Sequence, residues 1–181
     1  MRFAQIRSMD ISNGEGVGVS LFVQGCDKSP HCKNCFNSET WDFNGGKEWT
    51  EETKEQFIKL VDRPYIKRIS ILGGEPLAKQ NIDEVLSLVK EIRISYPQKN
   101  IWLYTGYSIE DIVNFNSVSQ QNFDIDNFIR NSILTYIDVL VDGEYIDEQR
   151  DVSLAYRGSK NQRVIDVQKS LTQEKLILYL N

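Results

Sequence analysis

What this chain lacks removes several function classes at the outset. It has three cysteines in 181 residues, and all three, Cys26, Cys32 and Cys35, fall within one short stretch. An odd number cannot all pair internally, and a disulfide framework would spread its cysteines to staple distant segments. No apolar run is longer than a strand, far short of the ~20 residues a membrane helix needs. The N-terminal stretch Met1 to Asp10 has no apolar core of signal-peptide length. An excess of positive charge is also missing: the net charge is −5, whereas nucleic acids and anionic membranes call for a basic footprint. No repeat, low-complexity tract or long linker is present, and the four prolines and eleven glycines sit at punctuation points. What remains is 40% hydrophobic and 26% charged, the make-up of one soluble domain over residues 1–181 with its own core. The cytoplasm is the default location.

Short apolar runs alternate with amphipathic stretches. Strands are expected over Val19 to Val23, Arg68 to Leu72, Ile101 to Tyr104 and Ile137 to Val141, with late strands at Val164 to Val167 and Leu176 to Leu180. A helix over Thr50 to Val61 has Thr50 as N-cap and Glu51 and Glu52 in its first turn, where the helix dipole favours acids. A second, Asn81 to Ile94, presents Ile82, Val85, Leu86, Val89 and Ile92 on one face. A weaker helix begins at Ser108, and another covers Ile125 to Ser132. This alternation implies right-handed βαβ crossovers and a mainly parallel sheet. Four central strands cannot close an eight-stranded barrel of about 250 residues; the expectation is an α/β fold with an open, partial βα barrel. Such sheets carry their chemistry in loops at the carboxyl ends of the strands. The cysteines, Gly73-Gly74-Glu75-Pro76, Thr105-Gly106-Tyr107 and Asp142-Gly143 follow the four strands in turn and are expected on one rim.

The cysteine loop has C-x5-C-x2-C spacing. Thiolates are the usual protein ligands of iron–sulfur clusters, and three cysteines leave one iron of a four-iron cluster free for an exogenous chelate. A Cys3His zinc site using His31 and a redox dithiol of Cys32 and Cys35 are the competing readings. In Gly73-Gly74-Glu75, glycines permit close backbone approach, and the glutamate offers a carboxylate to a cationic amine. Trp41 and Phe43 read as core more readily than as lining of a cluster pocket. Arg157, Asn161, Gln162 and Arg163 fit equally a ligand-binding or partner-binding segment and a structural turn fixed by guanidinium hydrogen bonds.

Together these segments resemble the radical S-adenosylmethionine (SAM) superfamily, in which a three-cysteine loop follows the first barrel strand and a GGE segment the second. Within it the chain is similar to the activases of anaerobic ribonucleoside-triphosphate reductase. The resemblance is carried by Asn13 to Gly16, Val19 to Cys26, Cys32 to Asn37, Glu39 to Phe43, Leu72 to Leu77, Tyr104 to Tyr107, Asp138 to Gly143 and Arg157 to Arg163. It implies that Cys26, Cys32 and Cys35 hold a [4Fe–4S] cluster and that Gly73, Gly74 and Glu75 meet the methionine end of SAM. Thr105 and Asp142 are candidates for the ribose or the amine. Two departures stand out. The first cysteine gap is two residues longer than the usual C-x3-C, so a bulge is expected between Cys26 and Cys32. The residue before the third cysteine, often aromatic, is Asn34, so an adenine contact would come from its backbone or from Phe36.

The implied reaction is reductive cleavage of SAM by electrons from an external, flavodoxin-like donor. Hydrogen abstraction then follows from a glycine in the radical loop of the reductase large subunit. It needs no general acid or base from this chain, in keeping with a single histidine. The alternatives are an activase for another glycyl-radical enzyme, a non-catalytic iron–sulfur electron-transfer protein and a zinc-stabilised interaction domain.

Overall fold

The computed structural model describes residues 1–113 and 124–180. Eight strands form one sheet: β1 (Arg2–Asp10), β2 (Gly18–Val23), β3 (Lys47–Glu48), β4 (Arg68–Gly73), β5 (Asn100–Tyr104), β6 (Val139–Asp142), β7 (Arg163–Asp166) and β8 (Leu178–Leu180), in the order β3-β1-β2-β4-β5-β6-β7-β8. Among the described residues five α-helices accompany them: α1 (Glu51–Asp62), α2 (Ile82–Ser95), α3 (Ile109–Ile112), α4 (Ile125–Leu134) and α5 (Val167–Thr172). The expected cap is in place, since Thr50 accepts from the Thr53 amide, and Ser108, where a helix start was expected, forms a reciprocal capping box with Asp111. The buried face of α2 uses Leu88 where the sequence suggested Leu86. Among the described residues no helix is long and apolar enough to cross a membrane.

The sheet is mixed, not mainly parallel. β2, β4, β5 and β6 pair in parallel, as expected for the four central strands. Both flanks are antiparallel: β1 on β2, β3 on β1, β7 on β6 and β8 on β7. The cause lies in the connections. Parallel neighbours need a crossover, usually a helix, and α1 and α2 supply one after β2 and one after β4. The β1–β2 connection is a short turn and the β6–β7 connection carries no α-helix, so each returns antiparallel. The Val164 to Val167 expectation also shortens at its end: Asp166 closes β7 and caps α5 by accepting from the Lys169 amide.

The central strands divide their side chains between two layers. Val19, Leu21, Ile69, Ile71, Ile101 and Leu103 join the core beneath α1, α2 and α4. Trp102, Val139, Val141 and Val164 form a second cluster with Tyr104, Tyr156 and Tyr179 on the opposite, inner face. β2 and β8 stand five strand spacings apart in the sheet order, roughly 24 Å in a flat sheet. Yet Tyr179 of β8 donates to Glu15 of the β1–β2 turn at 2.6 Å, and its ring packs on Trp102 of β5 with centroids 5.4 Å apart. The sheet therefore curls strongly around its inner face.

That face contains a buried ion pair. Arg68 is fully buried; it donates to the Asp10 carbonyl at 2.7 Å and to Asn13 O and Ser70 Oγ, with the Asp10 carboxylate 3.7 Å away. Burial alone would raise the Asp10 pKa, but hydrogen bonds from Asn13 and Ser12 outweigh it and hold the group at about 2. The pair fixes the turn that carries Asn13 to Gly16. Removing one member of a buried pair strands the other charge and typically costs about 3–5 kcal/mol. Asp10→Ala is therefore expected to lower the urea-unfolding free energy by that order at pH 7. Because the folded pKa lies below the ordinary 3.8, the wild-type contribution is present above that pH and lost as pH falls towards 2. A loss below about 1 kcal/mol would mean that backbone carbonyls alone compensate Arg68.

Candidate functional site

The carboxyl ends of β2, β4, β5 and β6 open onto one cavity of about 580 Å³, within the usual range for ligand sites. Cys26, Cys32 and Cys35 reach it from the loop after β2, Gly73 to Glu75 from the end of β4, Thr105 and Gly106 from β5, and Gly143 from β6. Phe22, Leu72 and Tyr104 line it from the inner face of the sheet.

The cysteine loop and the GGE segment are joined through their backbones. The Gly74 amide donates to Val23 O at 2.9 Å and the Glu75 amide to Gly25 O at 2.7 Å, while the Cys26 amide donates to Trp41 O at 3.0 Å. The parallel β2–β4 ladder thus continues past the strand ends into both motifs. This closeness is what the glycines permit. A Cβ on Gly74 would stand 2.3 Å from the Gly25 carbonyl oxygen, and one on Gly25, at φ +96°, would enter the Phe43 ring at 1.9 Å. The GG pair was expected to admit a ligand; its first use is to admit the neighbouring chain.

Glu75 is almost wholly buried. Its Oε1 accepts from the Leu77 amide at 2.9 Å and Thr105 Oγ1 at 2.7 Å, and its Oε2 accepts from the Gly106 amide at 2.8 Å. Burial raises its pKa, the three donors oppose the rise, and the balance is about 7. A bound cation beside it would favour the carboxylate. Thr105 is fixed on both sides, donating to Glu75 and accepting from the Tyr107 amide at 3.1 Å, so it orients the carboxylate from behind.

The three cysteines are free and half-exposed. Burial pushes Cys26 up to about 11 and raises Cys32, against a lowering backbone hydrogen bond in each case, so metal binding to these thiols releases protons. The Asn37 amide already points at Cys35 Sγ at 3.4 Å. Among the described residues no three His, Cys, Asp or Glu side chains converge as one ion would require. His31 stacks on Trp41 with centroids 4.3 Å apart and lies against the Cys26 carbonyl at 3.3 Å, which engages the ring that a Cys3His zinc site would use. The expected bulge is anchored as well. Tyr107 donates to Asp27 at 2.9 Å, Lys28 lies 4.2 Å over the Tyr107 ring and pairs with Glu144 at 3.3 Å, and Arg130 lies 4.7 Å from the same ring. Sequence reasoning did not assign this brace to Tyr107; its position two residues after Thr105 was the available signal.

Other candidates fall elsewhere. Asp142 does not line the cavity. It is buried, and accepts from the Ile109 amide at 2.9 Å and twice from Arg163. Asn34 adopts φ 55° and its side chain donates to Asp147 at 2.7 Å, away from the cavity lining. Trp41 lines the cavity, contrary to its expected place in the core, because stacking with His31 holds it at the rim. The Arg157 to Arg163 segment divides. Asn161 donates to Glu144 O, Gln162 joins Gly143 O to the Gly158 amide, and Arg163 also pairs with Glu110 at 2.6 Å, all scaffold contacts. Arg157 alone among these four charged and amide residues lines the cavity without such a bond.

A family model described as a 4Fe-4S single cluster domain matches residues 12–165. The anaerobic ribonucleoside-triphosphate reductase-activating protein of Vibrio cholerae is 38% identical over 164 residues, covering 90% of this chain and 96% of that protein. The protein of the same description from Escherichia coli K12 is 38% identical over 166 residues, covering 91% and 97%. That of Enterobacteria phage T4 is 34% identical over 164 residues, covering 91% and 93%.

The buried Glu75 carboxyl makes a pH prediction. Its folded pKa of about 7 lies above the ordinary 4.5, so its contribution to stability is complete below pH 4.5 and is lost as pH rises through 7. Urea unfolding of protein prepared without cluster or ligand should show a falling free energy from pH 5 to 7.5. A Glu75→Leu variant should lack that component. Identical pH slopes in the two proteins would mean that the three donors keep Glu75 ionised throughout.

Proposed function

The chain belongs to the family of anaerobic ribonucleoside-triphosphate reductase-activating proteins, and from that membership we propose that it is a radical SAM activase that generates a glycyl radical on the large subunit of such a reductase. The observation that carries this reading is the union, on one cavity, of three free thiols and a buried carboxylate whose segments are hydrogen-bonded to each other.

In this reading Cys26, Cys32 and Cys35 are the ligands of a [4Fe–4S] cluster, and the lack of a fourth cysteine leaves one iron open. The donor set fits: thiolates suit iron–sulfur clusters, and the only histidine is engaged by Trp41. Glu75 receives the ammonium group of SAM, with Gly73 and Gly74 forming the wall beside it and Thr105 holding the carboxylate in place. Asn34, fixed by Asp147, offers its backbone beside Cys35, and Phe36 lies on the cavity wall. Asp142 acts as support, clamping Arg163 and the start of α3 behind the rim. When bound, the cluster and SAM together supply a carbon-centred radical by reductive cleavage of the sulfonium, the chemistry that removes a hydrogen atom from a glycine Cα. The apolar lining from Phe22, Leu72 and Trp41 keeps water from that chemistry. No side chain is required as an acid or base.

The curled sheet is read as an open βα barrel of the radical SAM type within a single domain over residues 1–181. One sheet running from β1 to β8 and the Glu15–Tyr179 contact across it support this. The partner's glycine segment enters at the open mouth, electrons come from an external flavodoxin-like donor, and the protein works in the cytoplasm, where thiols stay reduced.

The test is anaerobic reconstitution with iron and sulfide, reduction with dithionite, and EPR before and after SAM. A [4Fe–4S]⁺ signal that changes with SAM is expected, and Cys26→Ala, Cys32→Ala and Cys35→Ala should each lose SAM cleavage. A signal indifferent to SAM would make the protein an electron carrier; cleavage retained by any of the three variants would overturn the ligand set.

A further inference from the structure

Arg157 stands apart from the rest of its segment. Its Nε is buried with no hydrogen-bond partner, and among the described residues no ion pair engages its guanidinium, although it lines the cavity. Residues on either side of it are pinned. Tyr156 is held in the left-handed region at φ 62°, with its ring packed edge-on against Trp102 at 5.2 Å. Gly158 is fixed by its amide bond to Gln162 Oε1 at 2.9 Å. Non-glycine residues avoid that backbone region, and strain of this kind persists where surrounding structure over-determines it, often beside functional groups. Gln162, Asn161 and Arg163 lock the base of the loop to Gly143, Glu144 and Asp142. The whole segment serves to present one cation to the cavity.

The charges around it leave that cation uncompensated. Of the carboxylates on the cavity wall, Glu75 is taken by three donors, and Asp151 by Ser153 and Lys160. Arg150, on the same loop, also has no ion pair among the described residues and lies 5.4 Å over the Phe36 ring. Beside these cations the wall carries exposed apolar side chains, Phe36 and Val152, the latter 88% accessible. Alternating cations and exposed apolar groups at a cavity mouth fit an entering polypeptide with apolar and acidic side chains; a small enclosed ligand would leave Val152 in water.

We propose that Arg157 is a binding residue for the polypeptide substrate, forming a charge-assisted pair with a carboxylate on the segment that carries the target glycine. The proposal rests on the activase reading and adds to it the chemistry by which the partner is recognised. A planar guanidinium offers paired donors to a carboxylate, and such bonds contribute enough to change affinity about tenfold or more.

The experiment uses the reconstituted protein with the reductase large subunit as probe. Glycyl-radical yield is followed by EPR against reductase concentration and, separately, against SAM concentration. Among the described residues the Arg157 side chain has no hydrogen bond or ion pair, so Arg157→Gln is expected to fold, which its thermal melt checks. That variant should raise the KM for reductase about tenfold or more, well beyond any change in the KM for SAM. Its KM should depend less on salt than that of the wild type. Arg157→Lys should recover part of the loss. An unchanged KM for reductase, or an equal rise in the KM for SAM, overturns the proposal, the second outcome assigning the carboxylate to SAM itself. A wild-type protein that does not cleave SAM at all overturns the activase reading together with this one.

Discussion

The site depends on two backbone hydrogen bonds, from Gly74 to Val23 and from Glu75 to Gly25. They extend the pairing of β2 with β4 beyond the strands and make the cysteine loop and the carboxylate of Glu75 parts of one rigid piece. A side chain at Gly74 would clash with the Gly25 carbonyl, and one at Gly25 would enter the Phe43 ring. Backbone bonds of this kind are the cheapest way to hold a loop that has little core of its own: the segment from Asp27 to Phe36 buries none of its residues fully. It is instead tied at its base by β4, at its bulge by Tyr107 and Glu144, and at its far end by the Asn34–Asp147 and Lys33–Glu148 contacts.

Electrostatics follow from that placement. Because the joint buries Glu75, its charge is costly until a cation arrives, and the three donors around it limit the cost without removing it. Partial burial likewise favours the protonated thiols of Cys26 and Cys32. The unliganded cavity is therefore poised for ligands that bring positive charge: metal to the sulfurs, an ammonium to the carboxylate. The same lining carries Arg157 and Arg150, which have no ion pair among the described residues. A buried carboxylate and uncompensated cations on one cavity suit a site that must take a cationic cofactor and a polypeptide at once.

Much of this was legible in the sequence. The four parallel strands, their rim loops, the cap at Thr50 and the helix start at Ser108 were readable because period and capping chemistry are local. β1 was not, since Arg2–Asp10 buries only Phe3 and Asp10 and shows no clean alternation. Without β1, β3 and the β7–β8 pair placed, the sheet read as mainly parallel. Asp142 occupied the right rim position but its partner, Arg163, lies 21 residues on and could only be paired by folding. Motif reading located Gly74 and Gly25 but not their purpose, because Gly74 packs on the Gly25 carbonyl and Gly25 on the Phe43 ring, contacts made only on folding. The split between Arg157 and the rest of its segment needed coordinates as well: residues adjacent in sequence turn to scaffold on one side and cavity on the other.

The account stands or falls on transfer of a radical to a glycine outside this chain. The direct measurement is EPR of the reductase large subunit after anaerobic incubation with this protein, reductant and SAM. Repeating it with the reductase glycines labelled with ¹³C at Cα identifies the carrier. A carbon-centred radical signal on the reductase that is broadened by the label, and that depends on both SAM and the three cysteines, is the predicted result. SAM consumed with no radical on the reductase would contradict the account and direct the search to a different substrate.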